Sequence, residues 1–145
     1  MSDYNTVLVA IDLSDEAIQV AKKAHSMALS NNASLHIIHV IEPLSFAYGG
    51  DIPMDFSGIQ DEIQKQAKSQ LSAFASKYDI PIENQHIVIG RPESEIHSTA
   101  EELGAQLIIV GSHGRHGLAL ILGSTANGVL HGASCDVLAV RVEDK

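Results

Sequence analysis

The stretch that decides the fold class is residues 6–14, Thr-Val-Leu-Val-Ala-Ile-Asp-Leu-Ser. Its first six residues, Thr6–Ile11, form a continuous apolar and β-branched run, which is typical of a strand buried on both faces. A polar turn follows at once, with Asp12 directly after the strand and Ser14 in position to be the N-cap of a helix. Small apolar residues then recur at helical spacing from Ala17 to Ala28. A strand, a short turn and an amphipathic helix therefore open the chain.

The same alternation of strand and helix continues to the end of the sequence. Further apolar strands are predicted at residues 34–41, 85–89, 107–110 and 136–142. Asn31-Asn32 closes the first helix, and later helices are predicted at residues 58–78, 93–103 and 124–132. Residues 42–57, rich in Pro and Gly, read as a long loop. Five apolar strands alternating with four helices predict an α/β fold: one domain over residues 1–145, with an open, parallel, five-stranded sheet and helices on both faces.

The composition excludes several classes of protein. The 145 residues include 18 acidic and 9 basic side chains, a formal charge of −9 that opposes binding to the phosphate backbone of nucleic acids. No apolar run approaches the ~20 residues needed to span a bilayer, and the first residues lack the basic and apolar regions of a signal peptide. Cys135 is the single cysteine, so the chain has no internal disulfide. These features favour a cytoplasmic protein with no membrane insertion.

Ligands of such sheets bind beyond the carboxyl ends of the strands, at the point where the strand order reverses. The candidate segments are therefore Ala10–Asp12, Val40-Ile41, Gly90 and Gly111–Gly117. Asp12 by itself is adequately explained by charge stabilisation of the helix amino terminus. If it lies across a crevice from a phosphate-binding loop, its carboxylate becomes the natural partner of a ribose hydroxyl.

A glycine-rich loop follows the fourth strand, with the pattern Gly111-x2-Gly114-x2-Gly117-x5-Gly123-Ser124. Glycines leave backbone N–H groups accessible, and a helix that begins near Gly123-Ser124 adds the positive end of its dipole. Together these features predict a cradle for phosphate. The loop is neither a Walker A motif, since no Lys follows the last glycine, nor a dinucleotide fingerprint, which would follow the first strand. Tight packing is the alternative reason for the glycines, and Arg115 either meets a terminal phosphate or is a solvated loop residue.

The remaining reactive side chains predict no catalytic or metal site. His113 and His116 lie three residues apart in a loop, but no third metal ligand is evident. His36 and His39 lie at odd spacing in a strand, so they face opposite sides of the sheet. Cys135 is expected to be a small buried residue. No Ser-His-Asp triad or carboxylate pair can be placed.

Four segments together resemble the universal stress protein family: Val7–Ser14, His39–Ile41, Gly111–Ser124 and Cys135–Val140. The resemblance covers the whole chain. It implies a sheet of order 3-2-1-4-5, a homodimer and, in the nucleotide-binding branch that carries the phosphate glycines, a bound ATP or AMP. This chain keeps those glycines and so is similar to the binding branch.

Strand-end position and the resemblance together select ten candidate nucleotide-binding residues: Ala10, Ile11, Asp12, Val40, Gly111, Gly114, Arg115, Gly123, Ser124 and Thr125. The resemblance implies that Asp12 faces the ribose and that the Val40 backbone faces the adenine edge. The residues from Gly123 to Thr125 would hold the phosphates. Eight residues, where the family pattern has nine, separate Gly114 from Gly123. The shorter loop leaves AMP as well matched as ATP, which would carry Mg²⁺.

The resemblance implies an adenine-nucleotide-binding regulatory protein of the stress response, with at most weak ATPase activity. Two alternatives stay open: a slow nucleotide hydrolase, and a dimeric interaction protein that binds no nucleotide. A phospho-receiver is excluded, because the third strand ends in Gly90-Arg91 where a phosphoacceptor Asp would be needed. The resemblance places the dimer interface on the apolar last strand, Val137–Val142, and Val140→Pro is the substitution that the sequence suggests for breaking it.

Overall fold

The computed structural model describes residues 4–14, 17–42, 57–112 and 124–142, which form five strands and four helices in alternation. The strands are β1 (Thr6–Ala10), β2 (Ser34–Ile41), β3 (Gln85–Ile89), β4 (Leu107–Gly111) and β5 (Asp136–Val140). The helices are α1 (Ala17–Asn31), α2 (Ser57–Lys77), α3 (Pro92–Leu103) and α4 (Ser124–Gly132), and one 3-10 turn (Ile82–Asn84) precedes β3.

All five strands run parallel in the order β3-β2-β1-β4-β5, which confirms the predicted sheet. The central strand is β1, in which Val9 pairs with Ile37 of β2 on one side and with Ile109 of β4 on the other. Val7, Leu8 and Val9 are completely buried. Burial on both faces explains why this strand is apolar at every position and does not alternate.

Two hydrophobic clusters lie on opposite faces of the sheet. Val7 and Val9 pack on one face against buried residues of α1 and α2, including Val20 and Leu71. Leu8 points to the other face, where α3 and α4 supply Ile96, Ala100 and Val129. Helices therefore cover both faces, as the alternating pattern predicts.

Helix ends follow their local sequence signals. Asn32 (φ 52°) and Gly104 (φ 66°) adopt the left-handed conformation directly after α1 and α3, and Pro92 occupies the first turn of α3. Asn and Gly are the residues that tolerate this backbone most readily, so each helix ends where the sequence predicts.

Two strands are shorter than predicted. Ile11 lies outside β1, and β5 ends at Val140, two residues before the expected end. Gly111 ends β4 and pairs with Val140, so β5 loses its ladder partner at that point. Val142 is nevertheless buried and belongs to the α1–α2 cluster. Of the loop predicted over residues 42–57, residues 43–56 lie outside the described residues, and Ser57 belongs to α2.

Candidate nucleotide site at the carboxyl ends of the strands

The chain leaves β1 toward β2 on one side and reaches β4 on the other, so the strand order reverses between β1 and β4. The parallel register brings four predicted residues to two adjacent levels of this edge. Ala10 pairs with Ile38, which places Val40 level with Asp12, and Val9 pairs with Ile109, which places Gly111 level with Ile11. The structure thus collects the predicted strand-end residues of three neighbouring strands at the switch point, where α/β sheets bind their ligands.

The turn after β1 is held in a strained conformation. Leu13 has φ 63°, in the left-handed region that a branched side chain rarely adopts, and its side chain packs against the α1–α2 cluster. The Ser14 N–H donates to Asp12 Oδ1 at 3.0 Å, and the Ser14 hydroxyl donates to the same oxygen at 2.6 Å. These bonds fix the exposed carboxylate at the carboxyl end of β1. Both hydrogen bonds that the described residues make to this carboxylate use Oδ1.

Ser14 contacts both the Asp12 carboxylate and the entrance of α1. Its hydroxyl donates to Asp12, and the Ala17 N–H donates to the carbonyl oxygen of Ser14 at 3.0 Å. Residues 15 and 16 lie outside the described residues, so the side-chain N-cap at Ser14 stays a prediction. The Ser14 side chain also orients the carboxylate.

Ile11 has both backbone groups engaged within the protein. Its N–H donates to the Ile38 carbonyl at 3.0 Å, and its own carbonyl lies 2.9 Å from Nδ1 of His39. Its side chain is buried. Ile11 thus anchors the turn. The sequence pattern had selected Ile11 as a candidate ligand contact and could not separate that role from an anchoring one.

The Val40 backbone groups point toward the turn that follows β1. Ile38 accepts from Ile11 on the β1 side, whereas Ile41 accepts from Gly90 on the β3 side. Because alternate residues of a strand direct their N–H and C=O groups to opposite neighbours, Val40 directs both groups toward β1. Since β1 ends at Ala10, these groups face the turn at Ile11 and Asp12.

Gly111 has a packing reason to be glycine. A methyl group on its Cα would lie 3.2 Å from Val20 Cγ2, tighter than most carbon contacts, and 3.4 Å from Val142 Cγ2. The alternative of tight packing therefore holds for this member of the loop, and it is compatible with a ligand approaching the same backbone.

Most residues of the phosphate loop predicted from the sequence are absent from the described ranges. Gly114, Arg115 and Gly123 lie outside the described residues, as do His113 and His116. Ser124 and Thr125 form the first turn of α4, a nine-residue helix, as predicted. Within the described ranges, no three His, Cys, Asp or Glu side chains are grouped as a metal site.

The sequence pattern missed a histidine pair at the other end of the sheet. His36 Nδ1 lies 3.0 Å from His86 Nε2, with the two rings stacked at 20°, on the face covered by α3. Burial lowers the pKa of both rings; His86 lowers that of His36 further, while Glu102 partly offsets the effect on His86. The pairing joins β2 to β3, so the local spacing of His36 could not indicate it. His39 faces the opposite side, as predicted.

A small cleft of about 290 Å³ lies between the end of α3 and the start of β5. His97, Glu101, Ser134 and Cys135 are among its lining residues, and the His97 ring donates from Nε2 to the Val129 carbonyl at 2.8 Å. Burial raises the pKa of the Cys135 thiol, and Asp136 raises it further. The thiol is therefore poorly suited to act as a nucleophile. Cys135 is only partly buried, so the prediction of a buried residue is wrong.

Comparison with known proteins agrees with this architecture. The model of the universal stress protein family matches residues 3–141. Universal stress protein A homolog 1 of Coxiella burnetii is 41% identical over 143 residues, which cover 97% of this chain and 99% of that protein. The chain belongs to the universal stress protein family.

Two solved structures share the fold. One is the hypothetical protein MJ0577, whose biochemical function was assigned from its structure. It superposes with a TM-score of 0.80 at 23% identity, covering 98% of this chain and 99% of that chain. A universal stress protein in complex with cAMP superposes with a TM-score of 0.70 at 24% identity, covering 98% and 100%. No helix within the described residues is long and apolar enough to cross a membrane.

Proposed function

We propose that this protein binds an adenine nucleotide, AMP or ATP, at the carboxyl ends of β1, β2 and β4, and that it acts as a cytoplasmic regulatory protein of the stress response. The observation that carries the proposal is the convergence at the switch point of an oriented carboxylate, Asp12, with the backbone N–H and C=O of Val40, which are directed toward the end of β1. A carboxylate accepts hydrogen bonds from ribose hydroxyls, and a neighbouring N–H and C=O match the ring nitrogen and amino group of adenine.

The phosphates are assigned to the glycine loop and the start of α4. Gly111 belongs to this edge of the sheet, and the first turn of α4 contains Ser124 and Thr125. The amino terminus of a helix favours anions, and the sequence places Gly123 directly before it. Gly114 and Arg115 are assigned to the phosphates from the sequence alone. ATP would bring Mg²⁺ on its own phosphates. The related universal stress protein solved with cAMP holds a ligand of the same chemical class.

The first test is the identity of the ligand that accompanies the protein. Mass spectrometry of the small molecules released from purified, undialysed protein should detect AMP or ATP. Added nucleotide should raise the free energy of unfolding by about 2.7 kcal/mol at a hundredfold excess over the dissociation constant. If ATP, ADP and AMP at millimolar concentration all leave the melting temperature unchanged, the proposed function is wrong.

We also propose a homodimer formed through the outer edge of β5. This strand ends the sheet, and the resemblance to the family implies pairing there. An unpaired strand edge offers N–H and C=O groups to a second chain, and around a two-fold axis the two strands run antiparallel. The interface lies on a different edge from the nucleotide site, so the two proposals can fail independently.

A further inference from the structure

His39 makes a contact that is unusual for a residue inside a strand. Its Nδ1 lies 2.9 Å from the carbonyl oxygen of Ile11, across the gap between β2 and the turn after β1. A carbonyl can only accept, so Nδ1 carries the hydrogen and donates it.

This bond occupies the acceptor of the next rung of the β1–β2 ladder. The Ile11 N–H donates to the Ile38 carbonyl, which is a regular parallel rung one residue beyond the end of β1. In a parallel ladder the following rung would join the Val40 N–H to the Ile11 carbonyl. Among the described residues, the Ile11 carbonyl accepts from the histidine ring, and the rung from the Val40 N–H is not formed.

We propose that His39 is a positioning residue that holds the two strands apart by one rung, so that the Val40 N–H stays available for the adenine edge of the ligand. The inference rests on the proposed nucleotide site and deepens it. Without the ring N–H, the Ile11 carbonyl would be left unpaired near a half-buried surface, and the Val40 amide is the nearest donor in register. The ladder would then close over the position that a base must enter.

The decisive measurement needs no ligand. Amide hydrogen exchange of Val40 is followed by NMR in the wild type, in His39→Leu, which removes the donor at similar volume, and in His39→Asn, which keeps a side-chain N–H near the same position. Closure of the rung should slow exchange at Val40 roughly tenfold in His39→Leu and leave His39→Asn close to the wild type. The Ile38 amide, inside the existing ladder, is the internal reference.

Binding measurements test the consequence for the ligand. Calorimetry should show AMP affinity reduced roughly tenfold in His39→Leu and restored in His39→Asn. Ribose 5-phosphate, which lacks the base, should lose no affinity in either variant. A merely structural role for His39 would weaken both ligands together.

Three outcomes separate this inference from the proposed function. Equal Val40 exchange in all three proteins overturns the role of His39, even if AMP binds. If exchange is slower in His39→Leu but the wild type binds no AMP, the result supports the role of His39 in keeping the Val40 N–H unpaired and rejects the proposed function. Loss of ribose 5-phosphate binding in parallel with AMP overturns the adenine-specific role. His39→Ala replaces His39→Leu if the latter does not fold.

Discussion

The turn at residues 11–14 combines a strained backbone at Leu13 with an oriented side chain at Asp12. Leu13 is held at positive φ while Ser14 fixes the Asp12 carboxylate from two donors. A non-glycine residue in the left-handed region costs about 1–2 kcal/mol, and such costs persist where the surrounding structure over-determines the backbone. Here the determinants are the bonds to Asp12 and the packing of the Leu13 side chain, which together maintain the carboxylate at the strand end.

The strain at Leu13 can be measured with a matched pair of variants. Leu13→Gly and Leu13→Ala both lose the packed side chain, but only the Ala variant keeps the free-energy cost of a positive φ. We expect Leu13→Gly to be more stable than Leu13→Ala by about 1 kcal/mol, the reverse of the usual order. Urea unfolding of the ligand-free proteins gives the comparison. An Ala variant as stable as the Gly variant would show that Leu13 is not left-handed in solution.

Substitutions in the carboxylate and in the glycine loop should reduce the affinities for adenosine and AMP to different extents. Asp12→Ala should weaken adenosine and AMP alike, by about tenfold or more, since a hydrogen bond to a charged group contributes ~1.5–3 kcal/mol. Gly123→Val should weaken AMP more than adenosine, because a β-branched side chain would obstruct approach of the phosphate to the backbone. Calorimetry with both ligands tests the pair. Equal losses for the two ligands in Gly123→Val would remove the phosphate role of this loop.

At the scale of the element, the direction of the backbone groups in β5 decides which residue can serve a partner. The Val140 carbonyl accepts from the Ser112 N–H at 2.8 Å, so Val140 faces β4. Alternate residues point the opposite way, and the exposed Ala139 therefore directs its N–H to the outer edge. Val140→Pro, the variant that the sequence suggests, would damage the ladder within the subunit and is the wrong test of the dimer.

Ala139→Pro tests the proposed dimer without breaking the sheet. Proline is tolerated on an edge strand where the missing N–H would face outward. We expect the wild type to sediment as a dimer and Ala139→Pro to sediment as a folded monomer. Val140→Pro is the control that should lose stability itself. A wild type that sediments as a monomer of about 15 kDa at micromolar concentration would contradict the proposal.

For the molecule as a whole, the histidine pair links stability to pH. The pKa values of His36 and His86 lie below the ordinary 6.5 because burial disfavours their charged forms, and Glu102 of α3 opposes this only partly. The unfolded chain therefore binds protons more readily than the folded protein. By linkage, the contribution of these rings is complete above about pH 6.5 and is lost as the pH falls toward the lowered values.

Acid unfolding gives the measurement. The free energy of unfolding should decrease as the pH is lowered from 7 to 5, and His86→Asn should make this decrease shallower by removing one of the two rings. His131→Asn, at an exposed position of α4, is the matched control and should leave the slope unchanged. The same slope in His86→Asn and in the wild type would show that the pair does not control acid stability.

Local pattern determined the architecture of this protein. Continuous apolar runs such as Thr6–Ala10 identified strands buried on both faces, and Gly104 and Asn32 marked helix ends, because burial and left-handed backbone impose their requirements on neighbouring residues in the chain. The strand-end positions of Asp12, Val40 and Gly111 were predictable for the same reason: in a parallel sheet, the carboxyl ends share one edge.

Only the tertiary structure decided how those residues are used. Four features depend on contacts between segments that are distant in sequence. They are the left-handed Leu13, the bond from His39 to Ile11, the His36–His86 pair and the direction of the β5 backbone. A pattern with a period of two residues reports which face of the sheet a side chain occupies. It carries no information about which neighbouring strand receives each N–H and C=O, and that assignment is made when the strands pair.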